Sequence, residues 1–103
     1  MTQLEVFANP IARARRAYPL VVVLQADLAN TGRERIVAPL VPRSRLSGST
    51  GRLTPHVDIA GAQYVVLVPK LTAMPTDDLR DSKGSLVRHR EEIVAAIDYL
   101  FGV

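Results

Sequence analysis

Extended segments dominate the first two thirds of the chain, because apolar residues there alternate with polar ones or cluster in β-branched runs. The pattern predicts five strands, over residues 3–7, 20–28, 33–42, 56–59 and 63–68. The second segment, LVVVLQADL, does not alternate at its start, which predicts burial on both faces for part of its length. The last two segments predict a hairpin that turns at Ala60-Gly61.

Two prolines bear on the position of the third predicted strand. Pro39 and Pro42 lack the backbone N–H that a sheet ladder requires. We therefore predict that this strand lies at a sheet edge or contains a bulge. Residues 8–19, 43–55 and 74–84 are rich in proline, glycine, serine or charged residues, and they predict loops between the strands.

The hydrophobic period changes near the end of the sequence. Apolar residues recur there at spacings of 7, 4 and 3, at Leu86, Ile93, Ile97 and Leu100. This spacing predicts an amphipathic helix over residues 85–101, with Ser85 as its N-cap and Gly102 at its C-terminal end. The order of elements predicts a mainly β fold, an antiparallel barrel-like sheet with one C-terminal helix packed on it. We expect a single domain over residues 1–103.

Composition narrows the functional class. The chain is 48% apolar and 22% charged, which is typical of a folded globular protein. It has no cysteine, so disulfide and thiolate chemistry are excluded. No apolar run approaches the roughly 20 residues of a membrane-spanning helix, and the sequence predicts a soluble, cytoplasmic protein.

Charge is distributed unevenly along the chain. Residues 1–52 carry eight arginines against three acidic residues, a balance of +5, whereas residues 53–103 carry five basic and seven acidic residues, a balance of −2. The densest basic cluster is Arg13, Arg15 and Arg16. Such a cluster suits an acidic protein segment or nucleic acid, and it is equally compatible with a solvated loop.

Two further patterns bear on catalytic or metal-binding chemistry. The serines at 47 and 49 with His56 and Asp58 contain the residue types of a hydrolytic triad, but no nucleophile-elbow motif surrounds the serines. The acidic residues Asp77, Asp78 and Asp81 match no calcium-loop spacing. Both patterns favour ordinary surface residues, and we expect no enzymatic activity, cofactor or metal.

The end of the helix, YLFGV, is apolar and carries no charged tail. Chain ends are usually polar unless they are held by other parts of the protein or a partner. From the residues alone, burial in the core and exposure for a partner are equally good interpretations of this end.

Several segments, in order, resemble the CcdB family, the toxins of toxin–antitoxin modules. Residues 18–40, YPLVVVLQADLANTGRERIVAPL, match four successive features of the family. These are an apolar strand, the motif Gln-x-Asp-aliphatic, a glycine-containing turn and the motif Arg-x-Val-x-Pro-Leu. Its hairpin and the stretch that follows are similar to residues 53–75, LTPHVDIAGAQYVVLVPKLTAMP. Its C-terminal helix is similar to residues 86–103, LVRHREEIVAAIDYLFGV. The resemblance covers nearly the whole chain.

The resemblance implies an SH3-like antiparallel barrel with a C-terminal helix, acting as a homodimer. It implies a toxin that poisons DNA gyrase by binding the GyrA subunit, without cutting a bond itself, and that neither enters a membrane nor binds specific nucleic acid by itself. It further implies neutralisation by a short CcdA-like antitoxin with a disordered, acidic C-terminal segment. The basic cluster Arg13, Arg15 and Arg16 is compatible with such a segment. There are two alternatives. One is a homologue that keeps the fold and binds an antitoxin but has lost or changed its gyrase target, and the other is a small-barrel nucleic-acid-binding protein.

The resemblance also implies a set of gyrase-binding residues. The family's final aromatic-Gly-aliphatic triplet carries poisoning, together with a polar helix position and an aliphatic pair after the Gln-x-Asp. The matching residues here are Asp98, Phe101, Gly102, Val103, Leu28 and Ala29. The best-known members have a tryptophan in the triplet; this chain has no tryptophan, and Phe101 stands in its place.

Overall fold

Seven strands and one helix form the part of the chain that the computed structural model describes, residues 2–26, 32–46 and 51–102. The strands are β1 (Glu5–Ala8), β2 (Leu20–Val23), β3 (Glu34–Pro42), β4 (His56–Ile59), β5 (Ala62–Val66), β6 (Thr72–Pro75) and β7 (Ser82–Ser85), and the helix is α1 (Arg90–Phe101). All strand pairs are antiparallel, in the order β4-β5-β3-β2-β1-β7, with β6 also paired to β3. The sheet curls into a half-barrel whose end strands, β4 and β7, contact each other. The mainly β prediction with one C-terminal helix is confirmed.

The core lies on both faces of the sheet. The larger cluster joins the sheet to α1 and includes Leu4, Val6, Leu20, Val22, Leu40, Ile93 and Ala96. The smaller cluster covers the opposite face and consists of Phe7, Val21, Val23, Val37, Met74 and Leu79. Alternate residues of β2 enter the two clusters, and all four are buried. Burial of this strand on both faces, predicted from its unbroken apolar run, is confirmed.

Strand β3 lies at the centre of the sheet, so its predicted edge position is wrong. It pairs with β2 along one side, while its other side pairs first with β6 and then with β5. Pro39 lies at the junction between those two partners, where its carbonyl accepts the Leu67 N–H at 2.9 Å. Because neither ladder needs an N–H at that junction, the central strand tolerates the proline.

Strand β2 ends at Val23, earlier than the predicted residue 28. The Leu24 N–H still donates to the carbonyl of Ile36, at 2.9 Å. The next backbone donor of β3, the Ile36 N–H, donates to the side-chain Oε1 of Gln25 at 3.2 Å. A side-chain amide therefore replaces the strand partner at this point, and residues 27–31 lie outside the described part of the chain.

The predicted hairpin is confirmed. Ile59 pairs with Ala62 across a two-residue turn, in which Ala60 and Gly61 have φ of 51° and 83°. Two successive positive φ values are typical of the type I′ turn, whose twist matches that of the paired strands.

The segment 74–84, predicted as a loop, overlaps two short strands, β6 at its start and β7 at its end. Strand β6 pairs with β3, and β7 pairs with β1. The β1–β7 pairing extends to Ser85, whose partner is Glu5, and it holds this serine in an extended conformation. The helix therefore begins at Arg90, after a 3₁₀ turn over Val87–His89, and the prediction of Ser85 as its N-cap is wrong.

Candidate functional site

The last turn of α1 presents aromatic side chains to solvent. Phe101 is 62% exposed and Tyr99 is 58% exposed. The opposite side of the same helix is fixed to the sheet by Ile93 and Ala96, both of which are fully buried. The helix is thus a rigid support that holds an exposed aromatic residue at its end.

Gly102 ends the helix by adopting a left-handed conformation. Its φ is 70°, and its backbone N–H donates to the carbonyl of Asp98. L side chains rarely adopt this conformation, which explains why a glycine occupies the position. Asp98, Phe101 and Gly102, three members of the predicted gyrase-binding set, therefore lie together in the last turn of the helix.

A groove of about 910 Å³ opens beside this helix end. One wall is the outward face of α1, with Glu92, Asp98 and Tyr99, and Gly102 also lines the groove. The other wall is the segment that leads into β4. From that wall, the Arg52 guanidinium lies over the Tyr99 ring, 5.4 Å from its centroid. This cation–π contact joins two segments that are distant in sequence, on the two walls of the groove.

His89 joins the beginning of α1 to β4. Its Nε2 atom accepts the backbone N–H of Asp58 in β4, at 3.3 Å. A polar contact therefore joins the segment before the helix to β4, and the Arg52–Tyr99 contact joins the end of the helix to the segment before β4.

The remaining predicted site residues of this group lie outside the described part of the chain. They are Leu28, Ala29 and Val103.

The predicted basic cluster is divided between two cavities. Arg13 and Arg16 line a cleft of about 500 Å³ together with Ala17 and Arg45. Arg15 lines a different cavity, together with Asp78 and Asp81. Its Nε donates to the carbonyl of Asn9. The third arginine beside Arg13 and Arg16 is therefore Arg45, from the 3₁₀ turn Arg43–Arg45 that follows β3, and not Arg15.

The residue types of a hydrolytic triad do not form a site within the described ranges. His56 and Asp58 are exposed on the outer face of β4, and Ser47 and Ser49 lie outside the described residues. Over residues 2–26, 32–46 and 51–102 there is no group of three or more potential metal-binding side chains. No helix in these ranges is long and apolar enough to cross a membrane.

Comparison with models of known protein families identifies the family of this chain. The family model of the CcdB protein matches residues 3–102. The chain belongs to the CcdB family. Comparison with curated proteins gives no match.

Membership in the CcdB family makes the chain a toxin of the toxin–antitoxin type, and partnership with an antitoxin follows from the same membership. The family resemblance inferred from the sequence is confirmed, and so is the mainly β fold with one C-terminal helix.

Sequence reasoning missed three residues that shape the sites of this CcdB family member. They are Arg45, Arg52 and His89. Each acts across a large sequence separation, which is 47 residues for the Arg52–Tyr99 contact. Local spacing carries no signal for such contacts.

Proposed function

We propose that this CcdB family member poisons DNA gyrase by binding the GyrA subunit through the end of α1. The supporting observation is the exposure of Phe101, 62%, on a helix whose other side is anchored in the core. A large aromatic side chain on a rigid support is the typical anchor of a protein interface, because little conformational entropy is lost when it binds.

The proposed mechanism is binding without covalent chemistry. Phe101 enters an apolar pocket of the target, and Gly102, which has no side chain, allows the two backbones to approach closely. Val103 fills the space behind Phe101, and Asp98 supplies a polar contact beside it. Leu28 and Ala29 are included in the proposed surface on the family resemblance alone.

The proposal includes two protein partners besides gyrase. The chain acts as a cytoplasmic homodimer, the arrangement that the resemblance implies. A CcdA-like antitoxin neutralises it. Of the predicted basic residues, Arg13 and Arg16, which line one cleft, are proposed to attract the acidic segment of that antitoxin, whereas Arg15 lines a different cavity.

Deletion of Gly102 and Val103 tests the C-terminal mechanism. The shortened chain is expected to fold and dimerise, because the helix core at Ile93 and Ala96 is untouched. It is expected to lose growth arrest and co-purification with GyrA, and loss of Phe101 as well is expected to give the same result. Growth arrest by the shortened, folded chain would contradict the mechanism.

A matched substitution separates a specific contact from general loss of apolar surface. Phe101→Ala is compared with Val87→Ala, since Val87 is 60% exposed near the other end of the helix. We expect Phe101→Ala to weaken gyrase binding by about 2 kcal/mol or more, as for an interface anchor. Val87→Ala is expected to bind as the unchanged chain does.

A second candidate is a family member that retains its antitoxin but acts on a different target. The observation that favours it is the absence of tryptophan from the whole chain. Expression in cells with a toxin-resistant gyrase distinguishes the two candidates: growth arrest that persists there indicates another target.

A further inference from the structure

The sequence of the last turn of α1 is electrostatically unfavourable for a helix end. Residues 98–101 are DYLF, with an aspartate and no basic side chain. The C-terminal end of a helix carries a partial negative charge, because its last carbonyl groups have no partner within the helix. A cation stabilises this end and an aspartate does not. The turn that carries Phe101 therefore gains stability from a positive charge supplied by another part of the fold.

Arg52 brings such a charge to the end of α1. Its guanidinium lies over the Tyr99 ring, 5.4 Å from the centroid. Arg52 and Asp98 also line the same groove, from its two walls. The arginine thus acts on the last turn in two ways, by a cation–π contact with a side chain of the turn and by placing a cation near the negative end of the helix.

Hydrogen bonds fix the segment that carries Arg52. The backbone N–H and the hydroxyl of Thr54 both donate to the carbonyl of Gly51, at 3.1 and 3.3 Å, and close a turn around Arg52. The carbonyl of Pro55 accepts the Val66 N–H at 3.0 Å, which joins this turn to β5. Arg52 therefore reaches the helix end from a segment that is tied to the sheet.

The turn that Arg52 contacts is the one that presents the proposed gyrase-binding residues. Tyr99 precedes Phe101 by two positions, and the Gly102 N–H closes the turn by donating to the carbonyl of Asp98. Chain ends open locally with free energies close to zero, so a single contact changes how often such a turn is formed. A turn that is formed before binding loses less conformational entropy in the complex.

We propose that Arg52 is a positioning residue for the gyrase-binding end of α1. It acts through Tyr99 and the helix end, without touching the target, and keeps Phe101 and Gly102 in the arrangement that binds. The link to gyrase rests on the function proposed above. The effect of Arg52 on the helix end does not, because it is a property of the free protein.

Hydrogen exchange of backbone amides in the free protein, measured by NMR, tests the effect on the helix end. Arg52→Gln, which removes the charge, is expected to speed exchange of the Gly102 amide by roughly twofold to fivefold, the range for an exposed cation–π contact. Arg52→Lys, which keeps a cation, is expected to retain most of the protection. The Ile97 amide, within the helix, is expected to be unaffected. Arg52 is exposed, so the variants are expected to fold, and circular dichroism checks this.

Arg88→Gln is the matched control, because Arg88 precedes the helix and its loss changes the net charge equally. It is expected to leave exchange at Gly102 unchanged. In a Tyr99→Leu background, most of the effect of Arg52→Gln is expected to disappear, because the ring is absent. Equal acceleration at Gly102 and Ile97 would overturn the proposal in favour of general destabilisation. Equal effects of the Arg88 and Arg52 variants would overturn it in favour of overall charge.

Binding to GyrA is measured on the same variants. Arg52→Gln is expected to weaken it by roughly twofold to threefold, because the apparent affinity falls only with the fraction of molecules whose last turn is formed. Arg52→Lys is expected to restore most of the affinity. A loss of about tenfold or more, with no change in exchange at Gly102, would overturn the positioning role in favour of direct contact between Arg52 and the target.

The two measurements separate this proposal from the choice of target. If the unchanged chain fails to bind GyrA, the proposed target is wrong, and hydrogen exchange alone decides whether Arg52 holds the helix end. If it binds GyrA while Arg52→Gln alters neither exchange nor affinity, the positioning role alone is wrong.

Discussion

At the scale of single residues, the site depends on backbone conformation as much as on side-chain chemistry. Gly102 ends the helix with a left-handed φ of 70°. Phe101, the residue before it, remains within the helix. The glycine therefore contributes both to the end of the helix and to the shape of the proposed binding surface.

Gly102→Ala is expected to destabilise the protein by about 1 kcal/mol, because an L side chain is strained at that φ. Gly51→Ala is the matched control, since Gly51 has no left-handed φ and no atom within 4 Å of an added Cβ. Urea denaturation of both variants measures the effect. Equal stability of the two would show that the left-handed cap is not required.

The contact between Arg52 and Tyr99 is expected to give a coupling free energy of about 0.5–1 kcal/mol, the value for a cation–π pair at an exposed site. The measurement is a double-mutant cycle on the free energy of unfolding, with Arg52→Ala and Tyr99→Leu.

Arg88→Ala combined with Tyr99→Leu is the control for that cycle. Arg88 precedes the helix and makes no described contact with the Tyr99 ring, so the two effects are expected to add. Coupling in the control as large as in the Arg52 cycle would mean that the value reports general charge effects.

At the scale of secondary-structure elements, α1 is anchored to the sheet along one face. Ile93 and Ala96 lie in the large core cluster, Ile97 and Leu100 pack against its margin, and Phe101 extends beyond it. His89 ties the beginning of the helix to β4. The position of the exposed aromatic residue is thus set by packing several residues away.

Ile93→Ala is expected to lower the free energy of unfolding by about 2–5 kcal/mol, because it leaves a cavity in a fully buried position. Ile97→Ala, on the same helix but only partly buried, is expected to cost less. Thermal or urea unfolding compares the two variants directly. A larger loss at Ile97 would contradict the assigned packing face.

The sequence predicted elements whose signal is local. Three features have a cause in the local sequence: the unbroken apolar run of β2, the Ala60-Gly61 turn and the glycine after the helix. Strand β7, with the sequence SKGS, has no apolar residue, and its four residues are all exposed. It is extended because β1 pairs with it, so no local pattern could have predicted it.

The candidate site follows the same division between local and long-range signals. Phe101 and Gly102 were found from the family resemblance and from helix-end chemistry. Arg45 and Arg52 act through contacts with Arg16 and Tyr99, across the fold. The central position of β3 was also missed, because no local pattern shows that Pro39 lies at the junction between two partner strands, β6 and β5.

At the scale of the whole molecule, the charge asymmetry of the sequence becomes a division of surfaces. The arginines of the first half supply the cleft at Arg13, Arg16 and Arg45, whereas the groove beside the helix carries Glu92 and Asp98 on one wall and Arg52 on the other. The two surfaces have no lining residue in common. They are therefore separate candidates for the two kinds of partner proposed above.

The pairing of β1 with β7 has a consequence for synthesis of the protein. Glu5 and Val6 find their partners, Ser85 and Gly84, only after the long segment between them has been translated. Until then one edge of β1 is unpaired, and the apolar face that α1 covers is open. A ribosome that stops before residue 82 releases a polypeptide with neither a closed sheet nor Phe101. Maturation of the fold and acquisition of toxicity are thus expected to occur together, once β7 and α1 have been translated.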